Sequence, residues 1–380
     1  MIVYCQNCII PSTRPDIEID ESGVCSACKA FKNRTVIDWE KRKTELLEIV
    51  KKFKTRDYWD CVVPVSGGKD STYQVLKVLE LGLKPLCVLS STCQLSKIGR
   101  ANIENLKKIG VDFVEFTPNP SIRKKLNYIG LTVVGDIAWP EHIGIFTIPV
   151  SVAIKFKIPL IVWGENSQNE YGGPEDAQKK NILDRRWLEE FGGLIGLRVT
   201  DLVDVYGFTK KDLVPYFYPE PNILEKSKIT GIFLGHYIPW NSVDNARIAK
   251  EKGFSFFYKQ VEGSYFEYEN LDNLQHGIHD YFKFLKFGFG RATDQLSVLI
   301  RRGLISRSEA IEIAKKTEGK FPWKYLDIGI EIILNHLGIS LEEFEDIADQ
   351  FTNYKIFKTD NFGKLIKDNM KNLTKIKYDN

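Results

Sequence analysis

The sequence predicts an α/β fold: a Rossmann-like parallel sheet with a cysteine-rich knuckle in front of it and a helical region behind. Two observations carry the sheet. Apolar runs of strand length recur at residues 62–65, 86–90, 111–116 and 160–163, with 232–234 as a fifth. Between them, segments 71–81, 98–109 and 143–156 repeat their apolar residues at helical spacing. Strands that alternate with helices pair in parallel and carry helices on both faces. A third observation is the change near Asn241, after which helical apolar faces dominate. The chain therefore divides into a knuckle at 1–36, the sheet domain at 37–240 and a helical region at 241–380.

Composition sets the outer bounds. With 380 residues and 43% hydrophobic content the chain can bury a full core in two domains, or in one domain with large appendages. Lys and Arg total 53 against 50 Asp and Glu, a net charge of +3. That is too small a bias to argue for a nucleic-acid partner. The longest apolar stretch, 143–158, is broken by Pro149, Lys155 and Lys157 and does not read as a membrane span. The first residues show no basic-then-apolar signal, so a cytoplasmic protein is expected. Seven cysteines in a reducing compartment point to metal binding or chemistry rather than to a disulfide framework.

Four of the cysteines form two close pairs, Cys5 with Cys8 and Cys25 with Cys28. Each pair can clamp one metal from a tight turn, and the two together complete a closed thiolate tetrahedron suited to structural zinc. The polar residues between them, among them Pro11, Pro15, Asp20, Glu21 and Gly23, cannot build a core, and a metal would supply the missing folding energy. Local disulfides and an iron–sulfur centre are the competing readings.

Residues 37–54 place Trp39, Leu46, Leu47, Ile49, Val50 and Phe53 on one face of an amphipathic helix that leads into the first strand. That strand, Val62-Val63-Pro64-Val65, breaks into Ser66-Gly67-Gly68-Lys69-Asp70-Ser71, and helical spacing resumes with Val75, Leu76 and Leu79. Pro64 suggests a bulge or an unpaired strand donor. A glycine turn at a helix start leaves several N–H groups aimed at one point, where the helix dipole also favours negative charge. Gly67 and Gly68 allow close backbone approach, Lys69 adds charge, and Ser66 and Ser71 can donate to phosphate oxygens. A Walker A loop is excluded by the spacing and by Asp70 after Lys69.

This hexapeptide resembles the signature of the PP-loop ATP pyrophosphatases. The resemblance implies an adenine nucleotide α-hydrolase-like fold. Its loop would hold the pyrophosphate end of ATP while AMP passes to a carbonyl oxygen of the substrate. Ser66, Gly67, Gly68, Lys69, Asp70 and Ser71 are then the pyrophosphate seat, Lys69 and Asp70 the catalytic candidates, and Asp70 a holder of Mg2+.

In a parallel sheet ligands lie at the carboxyl ends of the strands, where strand order reverses. Three further strand ends are therefore candidates. Glu165 and Asn166, in Gly164-Glu165-Asn166, can hold magnesium or a nucleotide or sugar hydroxyl, or can simply cap the loop. Cys93 has no histidine or cysteine beside it in sequence and reads as buried filler. His236 is a site residue or a core histidine. Residues 171–230, with Gly172-Gly173-Pro174, Arg185-Arg186-Trp187 and several prolines, read as a lid or docking surface. In the last region helices are expected over 281–287, 296–302, 308–316 and 325–337, the third capped by Ser306. Arg291 follows a glycine-flanked turn, where it can fork onto phosphate or a sugar carboxylate; Arg301 and Arg302 are weaker candidates for the same work. The Lys- and Asn-rich stretch after Phe362 is expected to be a frayed end.

The two cysteine pairs, the loop, and Gly288-Phe289-Gly290-Arg291-Ala292-Thr293-Asp294-Gln295 together resemble the N-acetyl sugar amidotransferases of bacterial surface-polysaccharide biosynthesis. Tyr4-Cys5 with Pro11-Ser12-Thr13-Arg14-Pro15, and the segment from Ile300 to Arg307, extend the resemblance over nearly the whole chain. It implies an enzyme that uses ATP to turn an acetamido group of a nucleotide-linked or acidic sugar into an acetamidino group, for O-antigen or flagellar glycan. Ammonia would come from a partner glutaminase and a cyclase-like subunit. A PP-loop tRNA sulfurtransferase is the rival enzyme, disfavoured by the absence of a second Cys-x-x-Cys pair near the strands. A zinc-knuckle adaptor with a vestigial nucleotide site is the non-enzymatic rival.

Overall fold

The computed structural model describes residues 2–33, 37–54, 58–165 and 196–376. Five strands, β1 (Cys61–Val65), β2 (Pro85–Ser90), β3 (Asp112–Phe116), β4 (Leu160–Trp163) and β5 (Thr230–Phe233), form one sheet in the order β3-β2-β1-β4-β5. All neighbours are parallel. From β1 the chain builds outward through β2 and β3, then returns to the other side of β1 for β4 and β5, so strand order reverses between β1 and β4. At that reversal β1 keeps a five-residue register with β2 but only one Cα pair, Val62 with Ile161, with β4. Pro64 stays in register with Val88, so no bulge forms.

Alternating residues of β1 feed the two faces. Cys61, Val63 and Val65 enter a core with Leu46 and Val50 of α2 (Trp39–Phe53), Val75 and Val78 of α3 (Lys69–Glu80), and Ile103 and Leu106 of α4 (Lys97–Lys107). Val62 enters the opposite core, with Leu86, Val88 and Ile161 from the sheet and Ile148, Val150 and Ala153 from one long helix. α1 (Ser26–Asn33) precedes these helices, and α5 (Pro120–Ile129) runs into a π turn (Gly130–Val134). The long helix is α6 (Trp139–Phe156), which accommodates Pro149 in its interior. α7 (Val199–Val205) and α8 (Pro221–Ser227) lie in the described part of the expected lid; residues 166–195, with Asn166, Gly172 to Pro174 and Arg185 to Trp187, fall outside the described residues.

The C-terminal region is helical, with α9 (Ser242–Glu251), α10 (His276–Phe287), α11 (Arg291–Arg301), α12 (Arg307–Thr317), α13 (Ile330–Leu337) and α14 (Leu341–Gln350). Ser306 caps α12 by accepting from the Glu309 N–H at 3.2 Å. Two expectations need correction. Tyr325 does not begin a helix: it belongs to a two-stranded hairpin (Lys324–Tyr325 with Ile328–Gly329), because Leu326 and Asp327 take left-handed backbone angles that a helix cannot continue. The stretch after Phe362 is not frayed through its described part. Thr359 bridges to Leu365 and Lys367 to Leu373, and both leucines are buried in the core that holds Phe282, Phe344 and Ile356. Two apolar residues among many lysines suffice to anchor it.

Candidate functional site

The carboxyl ends of β1 and β4 face one crevice, and the glycine loop lies in it. After Val65 the backbone turns through Gly67 at φ +82, a left-handed angle, and a Cβ there would sit 2.5 Å from Ile103 Cγ1. Glycine is therefore required twice over, by backbone angle and by space. The Ser71 hydroxyl accepts from the Ser66 N–H at 2.9 Å, and the Ser66 hydroxyl accepts from the Gly68 N–H at 3.2 Å. These bonds hold the loop in shape. Lys69, Asp70 and Ser71 are the first three residues of α3, so their N–H groups have no carbonyl partner within the helix. Such unpaired N–H groups are what an anion seat requires.

Lys69 is only 5% exposed. Its Nζ lies 2.6 Å from Asp70 Oδ2 and 2.8 Å from Glu269 Oε1, and 5.7 Å from the centre of the Tyr268 ring. Burial alone would lower its pKa, but the two carboxylates outweigh it and hold the ammonium charged well above the ordinary lysine range. Asp70 is fixed on its other oxygen by the Asn245 amide of α9 at 2.9 Å. A cavity of about 100 Å³ opens between residues 66–71 and residues 268–272. A second of about 30 Å³ lies on the far side of Asp70 and Glu269, lined also by Glu165, Trp240, Gln295 and Arg302. The donor set fits its expected ligands: N–H groups, hydroxyls and a buried ammonium for a diphosphate, and carboxylate oxygens for a hard cation such as magnesium.

The sequence reading missed Glu269, Asn245 and Tyr268. They come from a loop and from α9, nearly two hundred residues away, and an acidic residue among Tyr265, Phe266, Glu267 and Tyr268 has no spacing that marks it as a partner of Lys69.

The other candidates divide. Glu165 lines the second cavity beside Asp70. Arg302 does so as well, donating to Trp240 O at 3.3 Å and to the Asn241 side chain, whereas its neighbour Arg301 lines neither cavity. Arg291 is already engaged within the protein. Its guanidinium forks onto Asp280 with both contacts at 2.7 Å, and the N-terminus of α11 that it opens is already capped by the Glu318 carboxylate, which accepts from the Thr293 N–H and hydroxyl. Arg291 thus neutralises a buried aspartate, and it also lines a cavity of about 740 Å³ between α10 and residues 316–324. Burial raises the Asp280 pKa, yet Arg291 overrides it and holds the group down at about 2. Arg291→Ala is expected to cost about 3 kcal/mol of stability, because it strands a buried carboxylate. Since the folded pKa lies below the usual ~3.9, the pair stabilises fully above pH 4 and its contribution fades as pH falls through about 2. The acid-unfolding profile of the variant should lose that limb.

His236 follows β5 and is held neutral, its pKa lowered to about 4 by burial and then by Arg42; it does not line either cavity. Cys93 does have a partner: His336 Nε2 of α13 lies 3.2 Å from its thiol, contributed from 243 positions along the chain. Burial pushes that thiol up to about 12, so it stays protonated at neutral pH and is not an activated nucleophile.

The four front cysteines gather into one buried cluster, with Cys5 and Cys28 sulfurs 3.9 Å apart and Cys8 and Cys25 sulfurs 3.7 Å apart. All four are free thiols, so neither local disulfide is formed. A zinc tetrahedron with Zn–S near 2.3 Å demands S–S edges of about 3.8 Å, and these two edges meet that demand while all four sulfurs lie within 4.8 Å of one another. Burial and the closeness of the other sulfurs oppose ionising all four thiols together, a cost that a bound cation would relieve. The cluster is consistent with structural zinc. It is docked on the C-terminal region: Arg307 donates to Cys8 O at 3.0 Å and to Cys5 O at 3.3 Å, and Arg14 pairs with Asp294 of α11.

Residues 256–374 match a family model described as LPS biosynthesis protein WbpG-like, C-terminal domain. This segment carries Glu269, Tyr268 and the capped turn before α11. No curated protein matches the chain. Among solved structures, one described as a predicted subunit of tRNA methyltransferase from Methanocaldococcus jannaschii is 15% identical, covering 64% of this chain and 88% of its own, at a TM-score of 0.27. That likeness is too slight to carry an argument. Among the described residues, no helix is long and apolar enough to cross a membrane.

Proposed function

We propose that this chain is an ATP-dependent amidotransferase of lipopolysaccharide or related glycan biosynthesis, acting on an N-acetylated, nucleotide-linked sugar. The observation that carries the reading is Lys69, buried between Asp70 and Glu269 beside a glycine loop at the reversal point of a parallel sheet. The match of residues 256–374 to an LPS biosynthesis family supports the pathway class.

An amide carbonyl is a poor electrophile. In the proposed reaction its oxygen attacks the α-phosphorus of ATP, the bond to the β-phosphate oxygen breaks, and pyrophosphate leaves. Ammonia then adds to the adenylated imidate carbon, and AMP departs with the former carbonyl oxygen, leaving an acetamidino group. The N–H groups of Lys69, Asp70 and Ser71 and the Lys69 ammonium stabilise charge on the leaving pyrophosphate. Magnesium, held by Asp70 and Glu269, would neutralise phosphate charge. No protein nucleophile is needed, which accords with the protonated state of Cys93. Nor is a glutaminase needed within the chain; partner glutaminase and cyclase-like subunits would supply ammonia.

The test is exchange of labelled pyrophosphate into ATP. Exchange that depends on a nucleotide-linked N-acetyl sugar is the expected result. Stimulation by tRNA in place of the sugar would transfer the reading to a sulfurtransferase, and no exchange with either would leave an adaptor with a vestigial loop.

A further inference from the structure

A second cluster of ligating side chains lies apart from both the loop and the cysteines. Asp136 follows the π turn, in a bend fixed by Gly135 at φ +64 and by Gly130, where a Cβ would sit 2.4 Å from Asp136 O. The Asp136 N–H donates to Gly130 O at 2.9 Å, and its Oδ1 accepts from the Ala138 N–H at 2.9 Å, so the carboxylate cannot swing. It is 1% exposed. Two imidazoles converge on it, His142 from the first turns of α6 and His279 from α10.

The contacts differ in kind. His279 Nδ1 lies 2.7 Å from Oδ1 in hydrogen-bond geometry. His142 Nδ1 lies 3.1 Å from Oδ2 without that geometry, and both of these buried atoms lack a hydrogen-bond partner. An imidazole nitrogen and a carboxylate oxygen that sit side by side without hydrogen-bond geometry are arranged as ligands of a common ion are, and such an ion would take the place of the proton shared between His279 Nδ1 and Asp136 Oδ1. The rings stand edge to face with centroids 5.1 Å apart, and the three ligand atoms lie within 4.8 Å of one another. Unsatisfied buried polar atoms are costly, which gives the pocket a reason to hold something.

We propose that Asp136, His142 and His279 bind a divalent transition-metal ion of the zinc class through two imidazole nitrogens and one carboxylate oxygen, leaving a position open to an oxyanion. Mixed nitrogen and oxygen ligands select this class over magnesium or calcium, which take all-oxygen sites. Three protein ligands leave a coordination position, unlike the closed four-cysteine cluster. Asp136 and His279 line a cavity of about 270 Å³ whose wall also carries Asp16, Arg14, Lys283 and Lys286. Arg14 and Lys283 are both paired with Asp294, whereas Lys286 donates to the Val134 and Gly135 carbonyls, so Lys286 is the cation that an anionic group in that position would meet. The cluster lies toward the sheet's carboxyl edge: Gly144, two residues after His142, packs where a Cβ would be 2.7 Å from Ser90 Oγ at the end of β2. This is the side on which the glycine loop lies, but the inference does not depend on the nucleotide reading.

The full-length protein, incubated with excess zinc and desalted, is expected to retain about two metal ions per chain, and His142→Gln and His279→Gln about one each. Cobalt loading guards against misfolded variants, because it reports on the unaltered protein. The cysteine cluster gives a sulfur charge-transfer band, and the second ion adds visible bands without one, which shift when inorganic phosphate is added. A single ion per unaltered chain, or two retained in both variants, overturns the proposal and leaves a carboxylate that merely orients two histidines. Second-ion bands that ignore phosphate overturn the open position.

Discussion

Lys69→Ala is expected to reduce pyrophosphate exchange by at least about 100-fold, the scale on which removing one preorganised charge-stabilising donor acts. The same change leaves Asp70 and Glu269, previously 2.6 and 2.8 Å from one ammonium, facing each other uncompensated. Breaking such a pair costs about 3 kcal/mol, the low end of the range because Asp70 keeps 28% of its side chain in solvent. Activity loss and destabilisation therefore coincide, and Glu269→Gln separates them. It keeps Lys69 paired to Asp70, so the melting temperature should fall less, while exchange falls if Glu269 helps to place magnesium. Zinc content should not change in either variant, since neither Lys69 nor Glu269 belongs to the cysteine cluster. Lys69→Ala protein that is folded and exchanges within tenfold of the unaltered protein would sink the pyrophosphate seat.

Cys25→Ser is expected to empty the front cluster of zinc and to cost more than about 3 kcal/mol, because in small metal modules the binding energy is the folding energy. The buried core around the cluster consists of the four cysteines, Ile10 and Ala27, with Ile17, Ile19, Val24 and Ile300 against it. Without a metal the four sulfurs stay protonated and supply only weak contacts in place of four metal bonds. The effect should spread beyond residues 2–33, since Arg307 ties the Cys5 and Cys8 carbonyls to the start of α12. Hydrogen exchange should quicken in residues 2–33 and also near 300–311, and chelation of the unaltered protein should reproduce the pattern. Full zinc occupancy in the variant, or unchanged protection in both segments, would show that the cluster is not the fastening it is taken to be.

Local chemistry decided much of this protein by itself. The inner strands β1, β2 and β4 lie within one residue of their apolar runs, because a parallel strand buried on both faces must be nearly continuously apolar. The edge strands β3 and β5 are less buried and mix polar residues or glycine into theirs. The glycine loop was legible because Gly67 answers a backbone angle and Lys69 a helix start, both set by neighbours in sequence. The cysteine cluster was legible because each pair bites within four residues. What only the tertiary structure decided is which distant charges meet. Glu269 reaches Lys69, Asp280 takes up Arg291, His336 reaches Cys93, and His279 joins Asp136 and His142 from an element 143 positions away. A charged side chain reads the same in sequence whether it faces water or a buried partner, and the choice is made by the packing of helices whose contacts leave no local period.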